Sequence, residues 1–460
     1  MQLSHSLKTN SSLGINDSLA QLAQALKGIK KEARQGVNFG HLEAEVNRLF
    51  NEAQTAALAS ILGEYDIGVP WFEYQGMTCK QAIRESKRYM TAAGEVTVER
   101  SLYRNERNGK TYCPLEMRSG IVEGFWTPQA AKHAIHVVSL VTPAEAKRLF
   151  DELGGMAPSS SSLTRLPAKL NTIIEKQPQD LLDMLNEQLT VPAHAKTVSV
   201  SLDGVMIATR DQVLPGDSKW GEASCGTISF SDAQGEVIST QYFARMPEHK
   251  KRSLKNQLVS TMEAVLQKRP DLCLVKVADG ARDNWKFLEE QLGEGESVLD
   301  YYHASQHLHE ALECIYGASS ARVKKQHQKY RRILRDDSKG ITKIINHLEY
   351  KSKGKVKDGE GLTRELTYFK NNKHRCDYAR LKAENKPIGS GIVESACKTV
   401  VQMRCKRAGQ RWEHDGGQAI LRFRSLLLSN QLDTAWGFIA SRYRNPEIRL
   451  PDNVIQFPRI

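Results

Sequence analysis

Apolar residues recur at helical spacing in the first segment of the chain. In DSLAQLAQALKGIKKEA, Leu19, Leu22, Leu26 and Ile29 share one helical face, and HLEAEVNRLFNEAQTAALASIL continues in the same style. Residues 1–90 are therefore expected to form a helical N-terminal region whose apolar faces pack on one another. GEVTVERSLYRNERNGKTYCPLE instead alternates, and Asn108-Gly109 is a two-residue turn signal, so 91–126 is expected to be a small β-hairpin module. Helical spacing returns in TPQAAKHAIHVVSLV and TPAEAKRLFDELGG, each opened by a Thr-Pro pair with Thr as N-cap and Pro at the first helical position. A short turn, MAPS, leads into SSSLTRLPAKLNTIIEKQ. Three short helices with a glycine-containing turn before the last make 127–190 a candidate helix-turn-helix. Ser160, Ser161, Thr164 and Arg165 would stand at the end of its third helix that faces base edges. An ordinary helical linker is the alternative.

Residues 195–310 carry a different pattern. AKTVSVSLDGVMIATR alternates as a strand, and EASCGTISFSDAQGEVISTQYFARM reads as a hairpin turning at Asp232 to Gly235. SLKNQLVSTMEAVLQKRP is an amphipathic helix ended by proline. DLCLVKVADGA is a short apolar strand of the buried parallel type, RDNWKFLEEQL a helix and ESVLDYYH a further short strand. The order β-β-β-α-β-α-β predicts an α/β sheet made of an antiparallel meander with parallel additions. It is the order of a ribonuclease H-like core. A helical stretch at 311–385 with a looser centre at KSKGKVKDGEG would interrupt that core. The last part of the core would run over 386–445, and an extended tail over 446–460.

Charge sharpens this division. The chain carries +12, and residues 321–383 hold 19 Lys and Arg against 7 Asp and Glu, an excess equal to that of the whole chain. So localised a basic block points to a polyanionic partner, above all nucleic acid, with a solvated helical surface as the bland alternative. The eight cysteines form no Cys-x-x-Cys pair, which argues against a zinc ribbon and a disulfide framework. No apolar run reaches transmembrane length, and the polar start lacks a signal-peptide core, so a cytoplasmic, nucleoid-associated protein is expected, with no membrane partner.

Three acids stand out against that frame. Asp203 lies inside the first strand of the core. Asp-Gly is usually a turn, but the apolar pattern resumes at once, and a strand-interior aspartate in a sheet needs a metal, a base or a hydrogen-bond cage. Asp279 ends the fourth strand, at the edge where open α/β sheets bind ligands; N-capping the next helix is its other reading. Strands one and four of such a core are neighbours, so both carboxylates would leave the sheet at the same edge and repel unless a cation lies between them. Oxygen ligands alone select hard ions, Mg²⁺ or Mn²⁺.

The third acid sits in PIGSGIVESACKTVVQMRCKRAGQRW. Gly389-Ser390-Gly391 opens a helix and would let the backbone approach the site closely. Glu394 in the first turn would complete the acidic set; the alternative is a dipole-favoured acid paired with Lys398 at i+4. Ile392, Ala396, Thr399 or Val400, and Met403 would pack the helix down. Lys398, Arg404, Lys406, Arg407, Arg411 and Trp412 would follow a nucleic-acid strand away from the acids.

The stretches VSLDGVMI, VADGARDNW and the one bearing Glu394 resemble the catalytic blocks of DDE transposases, nearest to the Mutator-like group in its bacterial insertion-sequence branch, the ISKra family. Asp300-Tyr301-Tyr302-His303 in LDYYHASQHL resembles that group's Cys/Asp-x-x-His motif and falls in the expected place. Together the four motifs span residues 197–412. The resemblance implies Asp203, Asp279 and Glu394 as a metal-binding DDE triad, with Asp300 and His303 accessory. It implies two ions, about 3.5–4 Å apart, clamping a scissile phosphate. Water would then nick the transposon end, and the freed 3′-hydroxyl would attack double-stranded target DNA. A homo-oligomer is implied because two ends must meet. Some relatives are expected to carry zinc-binding Cys-x-x-Cys in the hairpin, whereas this chain has Cys113 alone. The competing readings are a ribonuclease H-like nuclease without strand transfer, a non-cutting DNA-binding regulator, and a helical structural protein with incidental acids, which leaves the strand-rich centre unexplained.

Overall fold

The computed structural model describes residues 15–210, 219–318, 320–445 and 447–450; the expectations for the extreme N-terminus and for most of the tail lie outside them. Contacts divide the chain into two compact units, Met1–Gln177 with Ala435–Ile460, and Pro178–Thr434.

In the first unit, α1 (Ile15–Arg34) and α2 (Phe39–Gly63) pack through Leu22, Ile29, Leu42, Leu49 and Ala53. The helices, expected over 17 to about 65, end at Gly63, and the rest of the expected helical region to residue 90 is taken up by strands β1 (Trp71–Tyr74) and β2 (Met77–Thr91). Lys80 to Lys87 of β2 is exposed at nearly every position, so no two-residue apolar period marks it. Its extended form comes from pairing with β3 (Gly94–Asn105), from Thr91↔Gly94 out to Cys79↔Asn105. The expected hairpin exists, but β4 (Thr111–Tyr112) is only a stub paired at Tyr103↔Tyr112 and Arg104↔Thr111; the long partner of β3 is β2. Of the tail, Arg449 bridges Glu73 of β1.

After α3 (Pro114–Ser119) come α4 (Pro128–Leu140), α5 (Pro143–Leu153) and α6 (Ser160–Lys176), which contact one another. Thr142 caps α5 in a full capping box with Glu145, and Ser159 caps α6 through the Ser162 amide. Leu163, Leu166, Leu170 and Ile174 bury one side of α6, leaving Thr164 and Arg165 exposed and Ser160 half-buried.

The second unit begins earlier than the expected 195. Helix α7 (Pro178–Gln188) is tied to α8 (Arg252–Lys268) by hydrogen bonds from Asn186 Nδ2 to Ser260 (3.0 Å) and from Thr261 to Asn186 Oδ1 (2.9 Å). Five strands form one sheet: β5 (Thr197–Ala208), β6 (Trp220–Ser231), β7 (Val237–Arg245), β8 (Cys273–Ala278) and β9 (Glu296–Leu299). Their order is β7-β6-β5-β8-β9, antiparallel within β5–β7 and parallel from β5 to β8 to β9. This is the expected meander with parallel additions. Helix α9 (Arg282–Gln291) connects β8 to β9.

The basic block folds as α10 (Tyr301–Tyr316), α11 (Ala321–Asp336), α12 (Gly340–Ser352), α13 (Gly359–Asn372) and α14 (Tyr378–Ala383). Leu308, Leu312, Val323, Leu334, Ile344, Leu348, Leu362 and Phe369 join the same apolar cluster as Val198, Val200 and Phe230 of the sheet. The insertion is therefore part of the core. Then follow α15 (Gly391–Ala396), a π-turn at Cys397–Gln402, α16 (Met403–Cys405), α17 (His414–Leu428) and α18 (Leu432–Ser441). The last core segment was expected to reach 445, but residues from Ala435 onward belong to the first unit. Among the described residues no helix is long and apolar enough to cross a membrane, and all eight cysteines are free.

Phe230 is fully buried on β6, opposite Val198. Phe230→Ala is expected to destabilise the second unit by about 3–5 kcal/mol, read as a lowered urea midpoint of that unit's unfolding transition.

Candidate active site

The site begins with strand register. The parallel ladder between β5 and β8 ends at Ser201↔Val277. Two residues beyond that last pair stand Asp203, still within β5, and Asp279, just past the end of β8. Asp203 remains inside β5, opposite Cys225 of β6, and Gly204 pairs with Ser224, so this Asp-Gly is strand and not turn. Asp203 Oδ1 accepts the Gly204 amide at 2.7 Å, and Oδ2 faces the Cys397 thiol at 3.6 Å. Asp279 Oδ1 accepts both the Ala281 amide and Asn284 Nδ2, each at 3.1 Å. The N-cap of α9 is Ala281, so Asp279 is held in a loop at the strand end and is not the cap.

Asp300 follows β9, the next parallel strand, and caps α10. It is fully buried. Its carboxylate accepts the Tyr302 amide (2.9 Å), His303 Nδ1 (2.6 Å) and Ser390 Oγ (2.5 Å). The Ser390 hydroxyl also lies 3.1 Å from Glu394 Oε1. Its single proton serves one carboxylate at a time, and the shorter distance favours Asp300. Ligand-type atoms of Asp300, His303 and Glu394 all lie within 4.8 Å of one another. Helix α15, which carries Glu394, packs on β5 and β6. No ion pair joins Glu394 to Lys398 among the described residues.

Gly389 provides the close approach expected of the Gly-Ser-Gly run: a Cβ there would press the Tyr302 ring at 3.1 Å and Asp300 Oδ1 at 3.3 Å. Gly391 faces open space. The Gly-Ser-Gly run marks Ser390 as part of a helix start; its place between two glycines and four residues before Glu394 is the one sequence signal of its contacts with both acids. Cys225 and Cys397 were not singled out, because nothing in their spacing places them beside Asp203.

The π-turn changes which face of the Glu394 helix is buried. One extra residue per turn rotates the helix that follows it. The packing positions are Val393, Ala396, Cys397, Val400, Val401, Arg404 and Cys405, while Met403, expected inside, is 60% exposed. Arg404 is the clearest correction among the expected strand contacts. It is 2% exposed, its guanidinium lying 5.1 Å from the Trp412 ring centre. Trp412 donates Nε1–H to the Cys405 carbonyl and bridges Thr209, so both side chains hold the fold. Lys398, Lys406 and Arg411 are exposed, and Arg407 is half-buried with Nε on the Met403 carbonyl. Cys113 is buried, its thiol pushed up to about 11 chiefly by burial, and it belongs to no metal-ligating cluster among the described residues.

The electrostatics centre on His303. Its hydrogen bond to Asp300 raises its pKa; burial opposes this, and the charges of Asp300, Asp279 and Asp203 raise it further. Burial alone would raise the Asp300 carboxyl, but hydrogen bonds from His303, Ser390 and the Tyr302 amide outweigh it and hold the group below its ordinary range. The Cys397 thiol is pushed well up by its contact with Cys225, by burial and by Asp203, so it stays a protonated donor.

A raised histidine pKa stabilises the fold fully below the unfolded value near 6.5, and that contribution is lost as pH rises through the folded value. The His303 ring proton is expected to titrate above 6.5 by NMR. In Asp300→Asn the midpoint is expected to drop, because the largest raising contact is gone while burial remains. An unchanged midpoint contradicts the assigned hydrogen bond.

No protein-family model matches this chain, and no curated protein does. Among solved structures it is similar to the Drosophila P element transposase strand transfer complex (12% identity, TM-score 0.27), over 70% of this chain and 82% of that one. It is also similar to a pre-cleavage Mos1 transpososome (12%, TM-score 0.15; 56% and 98% covered) and to a Mos1 transposase paired-end complex with left transposon end (13%, TM-score 0.15; 57% and 99% covered). TM-scores this far below one half do not by themselves define a shared fold.

Proposed function

We propose that the chain is a metal-dependent DNA phosphoryl-transfer enzyme, a DDE transposase with a ribonuclease H-like core. The observation that carries this reading is the register of the parallel β5–β8 pair, which sets Asp203 and Asp279 at matching positions two residues past Ser201↔Val277, with the helix bearing Glu394 packed on β5 and β6. The resemblance of the four motifs to Mutator-like transposases of the ISKra branch supports it independently.

The donor set suits Mg²⁺ or Mn²⁺. Asp279 takes both of its hydrogen bonds on Oδ1, and Glu394 takes its one contact on Oε1. The second oxygen of each is left for a cation, and a thiol is only a weak donor to Asp203 Oδ2. Two such ions, when bound, supply Lewis-acid stabilisation of the scissile phosphate and a nucleophile active at neutral pH. The chain's own residues orient and balance charge. Asn284 and the Ala281 amide fix Asp279, Ser390 donates to Asp300 beside Glu394, and Asp300 orients the His303 ring and raises its pKa. Exposed Lys398, Lys406 and Arg411, together with the helices of the basic block, would carry the strand. Ser160, Thr164 and Arg165 of α6 would meet transposon-end DNA, and a homo-oligomer would bring two ends together. A nuclease without strand transfer would use the same acids. A regulator that no longer cuts has no use for carboxylates held by one oxygen each.

Glu394→Gln is expected to lower Mg²⁺- or Mn²⁺-dependent cleavage of the element's end DNA by more than about 100-fold, since loss of a mere outer partner already costs about 10–100-fold, while DNA binding survives. Unchanged cleavage returns Glu394 to a first-turn acid. Joining of cut ends to a target duplex separates the transposase from the nuclease.

The basic residues after Glu394 divide by burial. Lys406→Ala and Arg411→Ala are each expected to reduce the slope of log affinity against log salt by about 0.9 with folding intact. Arg404→Ala is expected to lower the thermal midpoint instead, through lost packing against Trp412.

A further inference from the structure

A cavity of about 470 Å³ opens beside Asp279, between α9 and α13. One wall is a single face of α9, Arg282, Trp285, Lys286, Glu289 and Glu290, at the i, i+3, i+4, i+7, i+8 spacing of a helix stripe. The other is Arg364 and Tyr368 of α13 with Arg375 of the 3-10 turn after it. Gly280, next to Asp279, lies at the junction, and a Cβ there would overlap the Tyr368 ring.

Two donors buried on residues that line this cavity lack partners. Trp285 is 3% exposed, and neither its Nε1 nor the Tyr368 hydroxyl has a hydrogen-bond partner. Buried polar groups are ordinarily paired, so an orphaned indole N–H, which can only donate, asks for an acceptor from outside the chain. Burial, with the nearby Asp279 and Asp300 charges, raises the Tyr368 phenol, so it too remains a donor. The rings themselves are already covered. The Arg375 guanidinium lies 4.1 Å from the Trp285 ring centre, and His307 stacks on Tyr368 at 3.7 Å. A stacked base finds no free platform here, whereas an oxyanion finds two donors. Around it stand four cations and two carboxylates. Glu289 is bound by Arg375 and Arg364 by Glu365, while Arg282 and Lys286 are exposed and have no ion-pair partner among the described residues.

We propose that this cavity binds a phosphate group of the nucleic-acid strand held at the acidic site, through Trp285 Nε1, the Tyr368 hydroxyl and the cations Arg282 and Lys286. The inference deepens the proposed function and rests on it for the source of the phosphate. The site would grip the strand beyond Asp279 and set how deeply it enters, without contacting the reacting atoms.

The test uses the full chain with ¹⁵N-indole tryptophan, the Trp285 signal being assigned by its loss in Trp285→Phe. A DNA duplex is expected to shift that signal saturably. Arg282→Ala and Lys286→Ala, both at exposed positions, are each expected to reduce the salt slope of duplex binding by about 0.9. Tyr368→Phe is expected to weaken binding about tenfold, as loss of one charge-assisted hydrogen bond does. Inorganic phosphate alone is the second probe. A shift with phosphate at millimolar concentration, but none with duplex, keeps the anion site and assigns it to a free phosphate. A duplex that binds with the Trp285 signal and both slopes unmoved overturns the inference and leaves the proposed function standing. A duplex that fails to bind at all counts against that function, and the phosphate arm still decides the cavity: a signal silent to phosphate overturns it.

Discussion

The parallel pairing of β5 with β8 governs the second unit. Once Thr197 is set against Cys273 and Ser201 against Val277, Asp203 within β5 and Asp279 just past the end of β8 are fixed at matching positions. A slip of one residue would turn each side chain to the opposite face. The buried apolar residues on both strands, Val198, Val200 and Leu202 against Leu274, Val275 and Val277, make such a slip costly. Two carboxylates are thus kept near one another by hydrophobic packing that has no stake in them.

The chain also groups Asp300 and Glu394 with His303. Asp300 is buried without exposure yet stays ionised because three donors reach it. It spends that charge on His303, whose own shift also registers Asp279 and Asp203. Ser390 ties this set to Glu394. Glu394 itself groups with Asp300 and His303, ligand-type atoms of the three lying within 4.8 Å of one another.

Much of this was legible in the chain. Alternation in β5, the apolar run of β8 and the meander between them fixed the order of the sheet, and the acids followed from their places in those strands. Thr-Pro pairs and polar caps marked α4 and α5 correctly. What escaped detection depends on tertiary context. Strand β2 has no apolar period because most of it is exposed on both faces and held by β3. Arg404 looked like a strand contact because its charge was visible, whereas the π-turn that rotates it inward is not. Ser390 and Cys397 acquire meaning only when α15 is laid over β5 and β6. The domain edges at Pro178 and Ala435 are set by packing partners, and no change in composition marks them.

The account stands or falls on where the divalent ion binds. The structure groups Glu394 with Asp300 and His303, whereas the proposed triad joins it to Asp203 and Asp279. The most direct measurement is anomalous diffraction from crystals of the full chain grown with Mn²⁺. The account predicts density bounded by Asp203 and Asp279 with Glu394 turned toward it, and His303 still bonded to Asp300. Density confined to Asp300, His303 and Glu394, with Asp203 and Asp279 bare, would contradict it.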